Sequence, residues 1–221
     1  MRRVFGAIVV TAALLGAAPA SAQQADDNVP RGPIVNSWYA GANTGVAVVE
    51  KFGGVLGAEA GIRLWRNLDG VVDVFWTPNL ATRRQLDGVD RLVEVLRASG
   101  DASGRLKAPV IYTGVGARWV FENSGRFRPY VLFTIGSARI EKKASFSVNG
   151  SDVSGSLPTY GITLGQDLAG TYSRLGTEGG VGILMGYGTW YFDAGARLLS
   201  VDALDQRTNV ARVVLGGGYR F

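Results

Sequence analysis

Hydrophobic residues in this chain fall on alternate positions, most clearly at its C-terminal end. Over residues 209–221 one row is Ala211, Val213, Leu215, Gly217, Tyr219 and Phe221, without a charge. The other row is Val210, Arg212, Val214, Gly216, Gly218 and Arg220. Period-two alternation sorts side chains onto the two faces of a strand, whereas a helix would mix them. The apolar row ends in aromatics, where a chain terminus ordinarily turns polar and frays. Such a strand requires apolar surroundings on one side up to its last residue.

The same pattern predicts strands over 37–49, 53–65, 70–78, 110–122, 127–140, 173–186 and 189–200. Their apolar rows include Val46 and Val48, Leu56 and Ile62, Val72 and Val74, Ile111 and Val115, Val131 and Ile135, Val181 and Ile183, and Ala194 and Leu198. The alternation is weakest over 127–140, where Leu132 falls on the polar row. A tilted strand crosses a bilayer with ~9–11 residues, and most of these are slightly longer. The connections 66–69, 123–126 and 187–188 are short, and 50–52 and 201–208 are short to moderate. Those at 79–109 and 141–172 are long. Short turns at one end and longer loops at the other are the layout of an outer-membrane barrel. Within the first long connection, Val89, Leu92, Val93 and Leu96 have helical spacing. That predicts a short amphipathic helix over 87–99 lying on the membrane surface; extension of the flanking strands as a hairpin is the competing expectation.

Threading the strands up and down collects Trp38, Trp119, Phe121, Phe127, Trp190, Phe192, Tyr219 and Phe221 on apolar rows at the short-turn end. A band of amphipathic rings at one level suits a membrane interface. Trp65 lies at that end but on the other row. Trp76 is the best member of a thinner band at the opposite end. The polar rows carry Glu59, Asp73, Glu178 and Asp193 against Arg63, Arg118, Arg197, Arg212 and Arg220. In a barrel with lipid outside, these residues face the lumen. An eight-stranded barrel is only wide enough to be filled by side chains, and the planar fork of arginine suits multidentate pairing there. The expectation is a packed ion-pair plug rather than a conducting pore.

Composition adds an address. Arg2 and Arg3, an apolar run over 4–18 and the small residues Ala20, Ser21 and Ala22 form a secretory signal pattern over 1–22, too short in its apolar part to span a membrane. Residues 23–36 are polar with two prolines and read as a flexible leader, followed by one β-barrel domain over 37–221. The 32 glycines favour many strands and turns. The formal charge falls from +5 to +3 without Arg2 and Arg3, too mild to argue nucleic-acid binding.

The chemistry is mostly exclusion. Without histidine there is no Ser-His-Asp triad or histidine metal site, and without cysteine no disulfide or thiolate site. Asp152, Asp167, Asp202 and Asp205 fall in or beside connections, and no spacing selects a catalytic pair. No catalytic, metal or cofactor site is expected. The long connections carry Arg83, Arg84, Arg91, Arg97, Arg105, Lys107, Lys142, Lys143 and Arg174. These are either solvated charge or partners for the phosphates of outer-membrane lipids and lipopolysaccharide.

The signal pattern, the eight alternating strands and the terminal Leu215–Phe221 run (LGGGYRF) resemble the small outer-membrane barrels of the OmpA, OmpX and opacity-protein type. The resemblance implies an all-β, eight-stranded antiparallel up-and-down transmembrane barrel in the bacterial outer membrane. Phe221 and Tyr219 then match the terminal signal read by the barrel assembly machinery. It implies roles in adhesion or membrane integrity, carries no catalytic motif, and leaves any extracellular ligand unidentified. Cell-wall tethering is not implied. A narrow channel or lipid-interacting barrel is a second reading; a soluble exported barrel with an apolar cavity for a lipophilic ligand is a third.

Overall fold

The computed structural model describes residues 38–49, 52–121, 126–165, 168–203 and 206–221; the signal pattern and the leader lie outside the described residues. Among the described residues the strands are β1 (Trp38–Val48), β2 (Phe52–Arg63), β3 (Leu68–Thr77), β4 (Ala102–Lys107), β5 (Val110–Val120), β6 (Phe127–Val148), β7 (Ser151–Asp152), β8 (Ala169–Tyr187), β9 (Trp190–Ala203) and β10 (Gln206–Arg220). Eight of them close a ring in the order β1, β2, β3, β5, β6, β8, β9, β10 and back to β1, every pair antiparallel. Closure satisfies the backbone of each barrel strand on both edges, which an open sheet cannot do.

Alternation decides which way each residue faces. Val115, Val181 and Leu215 point outward and are 57%, 57% and 63% exposed, whereas Arg118, Arg197 and Arg212 point inward at 1%, 2% and 1%. The outer surface is apolar and the inner one charged, the reverse of a soluble barrel. Trp38, Trp119, Phe121, Phe127, Trp190, Phe192, Tyr219 and Phe221 are all exposed at the short-turn end. There Trp190 packs edge-on against Tyr219, with ring centroids 5.3 Å apart, and Tyr219 against Phe221 at 5.2 Å. Trp65 stands in the β2–β3 turn, which frees it from either row. Phe52 joins Trp76 in the band at the long-loop end.

The structure corrects the predicted elements at the long-loop end. β6 continues to Val148 and β8 begins at Ala169, so much of the expected loop 141–172 is strand. The extra pairs run from Glu141↔Thr171 to Lys143↔Ala169 on one side of β6, and from Lys107↔Lys143 to Ala102↔Val148 on the other. The hairpin closes through Asn149 (φ 50°) and Gly150 (φ 79°), two left-handed residues in succession. That is the backbone of a type I′ turn, and Asn-Gly is its preferred pair. Helix α1 (Arg83–Leu96) starts earlier than expected, with the Gln85 side chain accepting a bond of 3.0 Å from the Thr82 backbone N–H. Helix and strand extension therefore coexist on different segments.

Strands in this barrel approach one another closely where glycine lines the lumen. A Cβ at Gly116 would overlap the carbonyl oxygen of Phe133 on the neighbouring strand, and one at Gly45 that of Val213. Outward-facing Gly179 has open space instead. Gly116→Ala is expected to destabilise the barrel by about 1–3 kcal/mol through overpacking, read as a lower urea midpoint in refolding titrations, while Gly179→Ala leaves that midpoint unchanged.

Candidate functional site

The lumen holds a chain of alternating charges built from six strands. Arg63 (β2) pairs with Asp69 (β3). Arg118 (β5) donates from Nη2 to Asp69 Oδ2 at 3.3 Å and from Nη1 to Glu59 Oε1 (β2) at 2.6 Å. Arg197 (β9) bridges Glu59 Oε2 at 2.8 Å, Asp73 Oδ1 (β3) at 3.0 Å and Asp193 Oδ2 at 3.3 Å. Arg212 (β10) then joins Asp73 Oδ2 at 3.2 Å to Glu178 (β8). Arg118, Arg197 and Arg212 each hold at least two carboxylates, a use that suits the guanidinium fork far better than an ammonium.

Aromatic rings seat the guanidiniums. Arg118 lies over Tyr39 at 4.7 Å and Tyr130 at 5.3 Å, and Arg212 over Phe75 at 3.5 Å from the ring centroid. Tyr130 Oη donates to Asp193 Oδ1 at 2.9 Å, and Tyr112 Oη bonds Thr134 Oγ1 at 2.9 Å. Thus β1 and β6, which supply no charge to the network, contribute Tyr39, Tyr130 and Thr134 to it.

Of the residues expected in the lumen, the structure brings together Glu59, Asp73, Arg118, Glu178, Asp193, Arg197 and Arg212, with Arg63 at the edge through Asp69. Arg220 does not join them: it lies over the Tyr191 ring at 5.7 Å and makes no ion pair among the described residues. Asp69 was missed because Asn67, Asp69 and Gly70 read as turn residues, yet β3 begins at Leu68. Its correct row placement follows from Asp73, four residues on.

Apolar layers close the network at both ends. Toward the short turns lie Tyr39, Val71, Val120, Leu132, Leu184 and Tyr191. Toward the long loops lie Val55, Phe75, Val110, Tyr112, Leu199 and Val210. A cavity of about 20 Å³ between Leu80, Lys142, Tyr172 and Val210 at the long-loop mouth has room for little more than one water.

Above that mouth the long connections fold into a head with its own core. Val89, Val93 and Leu96 of α1 are buried with Leu106, Ala144, Phe146, Val148, Leu157 and Leu168. The apolar face of α1 therefore meets protein, not a membrane surface. It comes so close to β4 that a Cβ at Gly104 would strike Val89 and Val93. Asn79 Oδ1 ties the entry and exit of this segment by accepting from Ala81 N at 3.2 Å and Ala108 N at 3.1 Å. In the second segment Asp152 Oδ1 accepts from Ser154 N at 2.8 Å, and hydrogen bonds from Ser154 hold the Asp152 carboxyl below its ordinary range. Asp152 is exposed and engaged in its own turn.

Removing one member of a buried ion-pair network leaves its partners uncompensated, at a cost of about 3–5 kcal/mol. Arg197→Met is expected to lose that much folding free energy in urea titrations. Arg220→Met, outside the network, is expected to change it by less than about 1 kcal/mol.

No protein-family model matches this chain, and no curated protein matches it in sequence. Solved structures do match. The chain is similar to Neisserial surface protein A at 17% identity and a TM-score of 0.51, over 86% of this chain and 99% of that one. It is similar to the N-terminal β-barrel domain of Pseudomonas aeruginosa OprF at 13% identity and a TM-score of 0.50, over 85% of this chain and 98% of that one. The chain has the closed, eight-stranded, up-and-down antiparallel fold of these small outer-membrane barrels, reached with little sequence in common.

Proposed function

We propose that this protein is a non-catalytic barrel of the bacterial outer membrane, closed to permeation, whose head of folded loops serves a structural or surface-interaction role outside the cell. The observation that carries the proposal is the inversion of the barrel wall: exposed Val115, Val181 and Leu215 against buried Arg118, Arg197 and Arg212. An apolar belt of that kind is costly in water and favourable in hydrocarbon. The exposed aromatics at the short-turn end mark one interface, and the head lies beyond the other.

The lumen argues against a channel. An ion entering it would meet apolar layers at both ends and, between them, arginines and carboxylates already engaged with one another. It argues equally against a lipophilic-ligand carrier, since the charged network occupies the space that such a ligand needs. Phe221, exposed at the end of β10, is suited to recognition by the assembly machinery during insertion. The likeness in fold to a protein named for its place on the Neisserial surface accords with this reading.

The chain is expected to partition with outer-membrane fractions and to run faster on gels unheated than boiled, as intact barrels do. Planar bilayers containing the folded protein are expected to show no discrete conductance steps. Recovery in the soluble periplasmic fraction, or regular single-channel steps, would contradict the proposal.

A further inference from the structure

The short-turn mouth of the barrel carries cations that the ion-pair network leaves unused. Three arginines end inward rows there: Arg63 closes β2, Arg220 closes β10, and Arg128 is the second residue of β6. Each shares its row with a residue of the lumen, Glu59 for Arg63, Tyr130 for Arg128 and Arg212 for Arg220. Around the ring β1, β2, β3, β5, β6, β8, β9, β10 they stand on the second, fifth and eighth strands. Long side chains approaching from three sides of so narrow a bore meet near its axis. The charges of Arg63 and Arg128 both repel that of Arg220.

Little among the described residues answers this concentration of charge. Arg63 is held by Asp69 and donates from Nη1 to the Arg66 carbonyl at 2.9 Å. Asp69 also serves Arg118, so one carboxylate stands among Arg63, Arg118, Arg128 and Arg220. Arg220 rests on the Tyr191 ring, and neither it nor Arg128 has an ion pair among the described residues. Glu122 lies outside the described residues. Behind the mouth, Tyr39, Val120, Leu132, Leu184 and Tyr191 form an apolar layer. Low-dielectric walls around like charges focus their field into the opening.

Position and surroundings select the ligand. Inward rows point at the barrel axis, whereas surrounding lipid meets the outward rows, so lipid headgroups do not reach between these arginines. The short turns are the periplasmic ones, and the opening faces that compartment. Beside Arg63, in the β2–β3 turn, Trp65 is 76% exposed and belongs to neither row. Arginine and tryptophan are the side chains on which protein interfaces most often depend. A bare inorganic anion would use the guanidinium forks alone. A peptide bearing carboxylates uses the forks and lays its carbon chain on the indole as well.

Resting on the outer-membrane reading, we infer that the short-turn mouth binds an acidic peptide segment in the periplasm. Arg128 and Arg220 hold its carboxylates, with Arg63 beside them, and Trp65 takes an apolar part of the segment. Arg220, which contributes nothing to the ion-pair network, thereby has a use. The barrel presents one working surface to each side of the membrane.

The test uses the full chain folded in neutral-detergent micelles, with folding checked by heat-modifiable migration. The probe is a short, blocked, fluorescently labelled peptide of alternating glutamate and alanine, with binding read as anisotropy at low salt. R128Q/R220Q is expected to weaken binding about tenfold, from two arginines at an exposed rim. Glutamine in place of glutamate in the probe is expected to cost at least as much. R105Q/K107Q, which removes the same charge from the long-loop end, is expected to leave binding unchanged. A wild type that does not bind the probe, R128Q/R220Q binding within twofold of wild type, or an equal loss in R105Q/K107Q would overturn the inference while leaving the outer-membrane reading intact. Inorganic phosphate displacing the probe at equal concentration would overturn it too, marking a site for any small anion. So would binding confined to E122Q, which would make Glu122 the arginines' own partner. A wild-type chain with no heat-modifiable form would remove the outer-membrane reading and this inference with it.

Discussion

Four arginines threaded between five carboxylates, in a tube filled by side chains, are the constraint on which the rest of this molecule depends. An unpaired charge in such a place would cost several kcal/mol. Each charge must therefore meet an opposite one, which requires six strands to stand in one register, although Arg212 Nη1 and Glu178 Oε1 are left without a hydrogen-bond partner. Buried ion pairs are seldom more stabilising than a well-packed apolar core. Their value here is specificity. On the outer-membrane reading, a slip of one residue along β10 would turn Arg212 toward lipid, at about 2–4 kcal/mol at the bilayer midplane, and would bring Leu215 inside. With both rows apolar, no such penalty would hold the strands in place.

The same constraint separates the two ends of the molecule. Below the network the strands end in tight turns and an aromatic band, and little projects. Above it β6 and β8 outrun the barrel, and beyond Lys142 the inward row of β6 is apolar. Ala144, Phe146 and Val148 face α1 instead of a lumen. The head is thus a continuation of the barrel sheet that has exchanged one interior for another. Its outward row, beyond the apolar belt, carries charge, with Lys107 opposite Lys143.

How much of this was legible in the chain depends on how local the signal is. The facing of Arg212 and Leu215, or of Arg118 and Val115, follows from alternation alone, because every residue of a barrel strand sits between two unlike surroundings. Arg220 shares a row with Arg212, and nothing in the sequence separates them. The difference is height: near the short turns Asp69 is already shared by Arg63 and Arg118, so Arg220 rests on Tyr191. Asp69 itself was hidden by turn-forming neighbours. The strand extension 141–148 does alternate, but Lys142 and Lys143 at its start gave it the look of a loop. The α1 start was marked by Thr82 and Gln85, a capping pair visible in the sequence. The partner of the α1 apolar face, Phe146 and Leu157 far along the chain, was not, since only the pairing of β4 with β6 brings them together.

The native chain contains no cysteine, so single cysteines can report each position without background. The most direct measurement is site-by-site fluorescence of a label at Val115, Val181 and Leu215, and in turn at Val55, Leu199 and Val214, in bilayers whose acyl chains carry a nitroxide quencher. Strong quenching at the first three positions and none at the second three is the predicted result. Quenching at Val55, Leu199 and Val214, with Val115, Val181 and Leu215 shielded, would contradict the inverted barrel.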